Sequence, residues 1–313
     1  MPLKRHIGAV LAGCFGLLAA CAELGPRGPA TAPLDVAPPK PQEVSDRSKA
    51  LSTYFLRLQS DLLSQGLLRT DGGGPDTPFT ATGLSRNFET IAFYDEYERG
   101  AGLRDAREGP GALRRWGVPV RFGVVFGTSV PEEQRRIDRA NVRAYAKRMA
   151  RVTGHPMSLT EGNANFHVLF MGEDDRDQML TRVQQIVPNI NQATMSILRD
   201  IPRSIHCLVI AFSANGNDSD YRKAIALVRA EHPDLLRKSC IHEELAQGLG
   251  LANDSPRARP SIFNDDDEFA LLTTHDEMLL RILYDRRLRA GMSLEQAQPL
   301  IRQIAGELAG GGS

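Results

Sequence analysis

The residues best suited to chemistry lie in the run Cys240-Ile241-His242-Glu243-Glu244-Leu245-Ala246-Gln247-Gly248-Leu249-Gly250-Leu251-Ala252-Asn253-Asp254. A histidine followed by a glutamate on a helix is half of a zinc-hydrolase pattern. The other half is a second histidine four residues on, because positions i and i+4 share a helical face. Position 246 is alanine, so that register fails. One residue further along, more falls into place. Glu243 and Gln247 stand at i and i+4 and can point to one spot, Glu244 lies beside them, Gly250 can reverse the chain at the helix end, and Asn253 follows. Zinc takes Cys, His and carboxylate ligands, so one carboxylate with two amides would hold it poorly. Such oxygen donors suit calcium or magnesium better. If a metal did bind, Glu244 would be placed to act as general base on its water.

Other groups carry weaker signals. His242 can approach a cleft from the adjacent helical face, but a lone histidine there reads first as a packed, hydrogen-bonded side chain, and His275 likewise. Asn264-Asp265-Asp266-Asp267-Glu268 is a dense carboxylate run without the alternating spacing and central glycine of a calcium loop, so it reads as a solvated turn. Ser261 has no Gly-x-Ser-x-Gly context. Asp218-Ser219-Asp220 reads as a loop and helix cap.

The stretch from Glu243 resembles the extended metzincin motif H-E-x-x-H-x-x-G-x-x-H, which a Met-turn follows. The general-base position is kept as Glu244 and the turn glycine as Gly250; Glu243, Gln247 and Asn253 stand at the three histidine positions. Ser261-Ile262-Phe263 is similar to the Ser-Ile-Met of the Met-turn. Leu272-Thr273-Thr274-His275-Asp276 with Ile282-Leu283-Tyr284 is similar to the closing helix of that family. The resemblance implies a zincin-like domain whose zinc ligands are replaced, with a cleft bordered by His242, Gly250, Asp254 and Phe263. It covers residues 118–285 as an order of elements and is specific over 240–285. A second resemblance spans most of the chain. Arg114-Arg115-Trp116, Asn87-Phe88-Glu89, the Glu-Glu-Leu-Ala-Gln helix and Pro260-Ser261-Ile262-Phe263-Asn264-Asp265 are similar to a proteobacterial lipoprotein family, domain-of-unknown-function family 2927. That family implies no activity.

The elements that must position these residues follow from periodicity. Leu51, Phe55, Leu58, Leu62 and Leu63 recur at helical spacing, which predicts a helix over 45–68. Residues 88–94 read as a strand, and 116–126 as a second with alternating Val118, Val120, Phe122, Val124 and Phe126. Residues 131–153 read as a long amphipathic helix whose arginines form a solvated face. Residues 165–171 and 205–212 read as strands. Residues 174–187, 191–200, 221–231 and 233–249 read as helices, followed by helices from 276 and over 293–308. The pattern predicts an α+β, zincin-like domain over 45–309, with a small mixed sheet, a long central helix and a helical C-terminal part.

Composition sets the outer limits. Of 313 residues, 42% are hydrophobic, enough to bury a sizeable core. Lysine plus arginine number 38 and aspartate plus glutamate 38, a balance that argues against a dedicated nucleic-acid binder. A single tryptophan argues against a Trp-rich carbohydrate platform. Lys4 and Arg5, then a short apolar run ending Leu18-Ala19-Ala20-Cys21, resemble a bacterial lipobox. That resemblance implies a signal peptide over 1–20, lipidation of Cys21, and a Pro-rich tether over 21–44. Ala22 after the cysteine implies the inner leaflet of the outer membrane, facing the periplasm. Cys207 and Cys240 then remain as a pair. In an oxidising compartment a disulfide is the default, closing a loop of about 33 residues and contributing roughly 3–4 kcal/mol; two buried free thiols are the alternative.

These readings converge on a lipid-anchored periplasmic protein that acts as a non-catalytic binding or scaffolding module of the cell envelope. Its partners would be the membrane, through Cys21, and an envelope protein or peptide, with no nucleic acid. No cofactor is expected. The alternatives are a divergent metal-dependent hydrolase or peptidase holding zinc or another divalent cation, with Glu244 as base, and a structural envelope lipoprotein.

Overall fold

The computed structural model describes residues 43–95, 109–214 and 217–310, which fall in one compact unit, Gln42–Ser313. The expected signal peptide, the expected lipidation site Cys21, nearly all of the expected tether and the last three residues lie outside the described residues. In chain order the elements are α1 (Asp46–Ser64), α2 (Ala81–Phe93), β1 (Arg115–Trp116), β2 (Val120–Phe126), α3 (Glu132–Thr153), β3 (Met157–Leu159), β4 (Phe166–Met171), α4 (Arg176–Ile186), α5 (Gln192–Arg199), β5 (Cys207–Ala214), β6 (Asn217–Arg229), α6 (Asp234–Gln247), α7 (Thr274–Tyr284) and α8 (Leu294–Gly310). The fold is α+β.

One mixed sheet organises the unit. Strands β3, β2, β4 and β6 lie side by side in parallel, and β5 pairs antiparallel with the outer side of β6. The two-residue β1 runs parallel to the start of β6 through Trp116 and Tyr221. Both faces are covered, which is why β4 and β6 read as nearly unbroken apolar runs. On one face Phe122, Phe166, Phe170, Ala224 and Val228 meet Tyr145 and Met149 of α3 and Ile241 and Leu245 of α6. On the other, Leu169, Met171, Ile225 and Leu227 meet Met179, Val183, Met195 and Leu198 of α4 and α5. Each Val, Leu, Ile, Phe or Met side chain among these, fully buried, contributes about 1.5–3 kcal/mol.

Helix α1 docks separately. Its Phe55 and Leu62 pack with Leu236 and Ala270, and the Phe55 ring meets the His232 ring edge-on at 4.2 Å. The Ser48 hydroxyl donates to Glu231 at 2.9 Å, where the Glu173 N–H also donates.

Four readings of the sequence need correction. Residues 88–94 are not a strand but the end of α2: Leu84, Phe88 and Ile91 recur at helical spacing, and Thr80 caps the helix by accepting from the Gly83 N–H at 3.0 Å. Residues 221–231 are not helical but form most of β6, whose Ala224–Val228 run is buried on both faces. Asp218-Ser219-Asp220 belongs to that same strand, and Asp220 accepts from the Gly117 N–H at 3.0 Å, fixing β1 against β6. The single strand expected over 116–126 is two, interrupted at Pro119, which has no N–H to give to a ladder.

Candidate functional site

Helix α6 carries the candidate site and is held from several sides. Arg237 donates through Nε to both carboxylate oxygens of Asp138 on α3, at 2.9 and 3.0 Å, in a buried pair. Burial pushes the Asp138 carboxyl up, against the pull of the Arg237 charge. Tyr145 of α3 donates its hydroxyl to the His242 carbonyl at 2.6 Å. At the far end the Trp116 indole donates to the Gly248 carbonyl at 2.8 Å, and the Tyr284 hydroxyl to Leu249 at 3.0 Å. The chain then reverses through Gly250 at φ +129°, where a Cβ would stand 2.3 Å from the Arg114 carbonyl oxygen. Only glycine fits that turn.

A disulfide joins α6 to the sheet edge. Cys240 is bonded to Cys207 at the start of β5, with 5.8 Å between their Cα atoms. Residue Cys240 lies one helical turn before Glu243 and Glu244, so the bond draws Cys207 against both carboxylates. Donor atoms of Cys207, Glu243 and Glu244 all lie within 4.8 Å of one another. Glu244 is buried, whereas Cys207, Glu243 and Gln247 are half-buried. Cys207 was legible as a disulfide partner but not as a neighbour of the acids. The signal was present: Cys240 and Glu243, at i and i+3, share a helical face. His232, missed by the sequence reading, places Nδ1 3.7 Å from the Cys240 sulfur, and burial lowers its affinity for a proton well below the usual histidine range.

The remaining candidate residues are placed as follows. Asn253 donates from its backbone N–H to Ile91 at 3.1 Å and from its side-chain amide to Thr90 at 3.2 Å, both at the end of α2. His242 is buried, stacks on Tyr145 at 4.1 Å, and accepts from the Leu272 N–H through Nδ1 at 3.0 Å. Burial, with the Arg148 and Lys238 charges, lowers its pKa to about 3. Asp254 is half-buried, and Phe263 is in the core. Asp276 accepts from the Ser261 hydroxyl at 2.5 Å, from Ile262 N–H at 3.1 Å and from Thr273 N–H at 2.9 Å. This carboxylate shapes the Ser261-Ile262-Phe263 turn. His275 is fully buried, with Nε2 3.1 Å from the Asn87 amide nitrogen.

Taken as zinc ligands, Glu243, Gln247 and Asn253 supply one carboxylate and two amides, and the Asn253 amide nitrogen is directed at α2. That donor set does not fit zinc. The carboxylates of Glu243 and Glu244 are the groups on this face able to hold a hard cation. Among the described residues no helix is long and apolar enough to cross a membrane.

No curated protein and no solved structure matches the chain. Residues 81–303, from the first turn of α2 into α8, match the family described as Protein of unknown function (DUF2927), and the chain belongs to that family.

Proposed function

We propose that the protein is a lipid-anchored module of the bacterial cell envelope that binds an envelope protein or peptide without catalysing a reaction, on a metzincin-like scaffold stripped of its zinc ligands. The observation that carries this reading is the engagement of Asn253: the third ligand position serves as a clamp on α2. The strand and helix order from residue 118 to α6 supports the scaffold, as does the Gly250 reversal. The binding surface would be the face where Glu243 and Gln247 lie near the start of β5. Among the described residues β5 pairs only with β6, so its outer edge can take an extended peptide as an added strand. The Leu18-Ala19-Ala20-Cys21 run supports the anchor and the periplasmic location.

A second reading, a divergent metal-dependent hydrolase, draws on the closeness of the Glu243 and Glu244 carboxylates. Glu244 would then be the base. Elemental mass spectrometry on the oxidised full chain separates the two. The binding-module reading expects no stoichiometric divalent metal, even after zinc is supplied in excess. About one metal ion per chain, lost in both Glu243→Ala and Gln247→Ala, would overturn it.

A further inference from the structure

We propose that the Cys207–Cys240 disulfide covers a latent zinc site, in which reduction frees Cys207 to bind the metal together with Glu243 and Glu244, solvent completing the set. This goes beyond the binding-module reading and is independent of it, because it concerns the reduced chain and uses neither Gln247 nor Asn253.

The argument begins with geometry. Around a tetrahedral zinc ion with Zn–S near 2.3 Å and Zn–O near 2.0–2.2 Å, neighbouring donors stand about 3.3–3.6 Å apart. The Cys207 sulfur and the two carboxylates already lie within 4.8 Å of one another, so closing on an ion needs a shift of about an ångström. Glu243 and Glu244 follow Cys240 by three and four residues on one helix, so both acids sit on the side that meets Cys207. The third donor comes from β5, so the ligands belong to two rigid elements already held together. Cys207 and Glu243 are half-buried, leaving a path for the ion, while Glu244 is buried beneath.

Chemistry explains why oxidation closes the site. A disulfide sulfur carries no charge and is a poor ligand; the thiolate is the species that binds metal. A protein dithiol can make the exchange. Its two thiols give up two electrons and two protons and close into a disulfide. The Cys207–Cys240 bond breaks, and each sulfur takes one electron and one proton. Zinc then displaces the Cys207 proton as that thiolate binds. One thiolate with two carboxylates suits zinc far better than one carboxylate with two amides. Strand β5 and helix α6 are therefore joined either by a covalent bond or through the metal.

The test uses the full chain carrying Cys14→Ser and Cys21→Ser, so that only Cys207 and Cys240 can respond. Zinc binding is measured by competition with a chromogenic chelator, oxidised and after phosphine reduction. Reduction should tighten binding by at least about 100-fold, and zinc should protect Cys207 from alkylation. Glu243→Gln should then weaken binding by more than the roughly 10–100-fold typical of losing an outer-shell partner. Cys240→Ala removes the need for reductant. That chain should bind cobalt with the absorption of a tetrahedral thiolate site and lose it with Glu243→Gln. Equal zinc affinity before and after reduction overturns the proposal. So does reduced-state binding indifferent to Glu243→Gln, the behaviour of two thiols on an unfolded chain. Absence of zinc from the oxidised protein bears only on the function proposed above, and absence from the reduced protein bears only on this site.

Discussion

The hydroxyl of Tyr145 donates to the main-chain carbonyl of His242 at 2.6 Å, while the two rings stack with centroids 4.1 Å apart. The contact fixes α6 to α3 beside Glu243 and Glu244. Tyr145→Phe keeps the stack and removes the hydrogen bond. It should lower stability by about 1 kcal/mol, read from the urea midpoint.

Gly250 offers a sharper test of the α6 end. A Cβ at this position would meet the Arg114 carbonyl oxygen, and the backbone is left-handed. Gly250→Ala should cost on the order of 3 kcal/mol or prevent folding. An unchanged thermal midpoint would contradict the geometry.

Asp276 holds the turn before α7 by accepting from Ser261, Ile262 and Thr273. Asp276→Asn keeps the shape but replaces an oxygen acceptor by a donor facing donors. A loss of roughly 2–3 kcal/mol is expected, with Ser261→Ala losing less. Chemical denaturation of the two variants side by side checks the order.

Stability should fall on acidification below neutral pH. An unfolded histidine titrates near 6.5, whereas folded His242 stays neutral down to about 3 and folded His167 down to about 4, chiefly through burial. Between those values the unfolded chain binds protons that the native chain does not. The stabilisation is therefore present above pH 6.5 and is lost progressively toward pH 3–4. Glu231, whose carboxyl is pushed up by burial, opposes this trend at the acidic end. The denaturation midpoint should be lower at pH 5 than at pH 7.5, and His242→Gln should flatten the difference.

If the proposed lipid anchor holds, Cys21→Ser should abolish incorporation of labelled fatty acid and move the chain from the membrane to the soluble fraction. Labelling that persists in the variant would place the lipid elsewhere.

Much of this arrangement could be read from residue spacing. Helix α6 and its shared Glu243–Gln247 face follow from period and composition, and the pairing of Cys207 with Cys240 from counting cysteines with Cys14 and Cys21 set aside in the expected signal peptide and lipidation site. What failed was the identity of short apolar runs. Ala224–Val228 is buried on both faces, so it has no alternation to separate strand from helix. The Asn215-Gly216 pair ahead of it was the available hairpin signal. Residues 88–94 cover only the second half of α2, too short a window to show its helical period. That error also hid the role of Asn253, because its partners Thr90 and Ile91 lie in that helix. A contact between residues more than 160 positions apart has no signature in a single sequence.

The docking of α1 shows that the segment shared with the family and the segment that folds are not the same length of chain. The family match begins at residue 81 and ends at 303, yet Phe55 and Leu62 of α1 cover Leu236 and Ala270, and Ile304 and Ala305 are buried past the other boundary. A polypeptide trimmed to the shared segment would uncover an apolar seat on α6 near the disulfide and leave α8 short of its last buried turn. Its insolubility would then report on where it was cut, and say nothing of how stable the whole protein is.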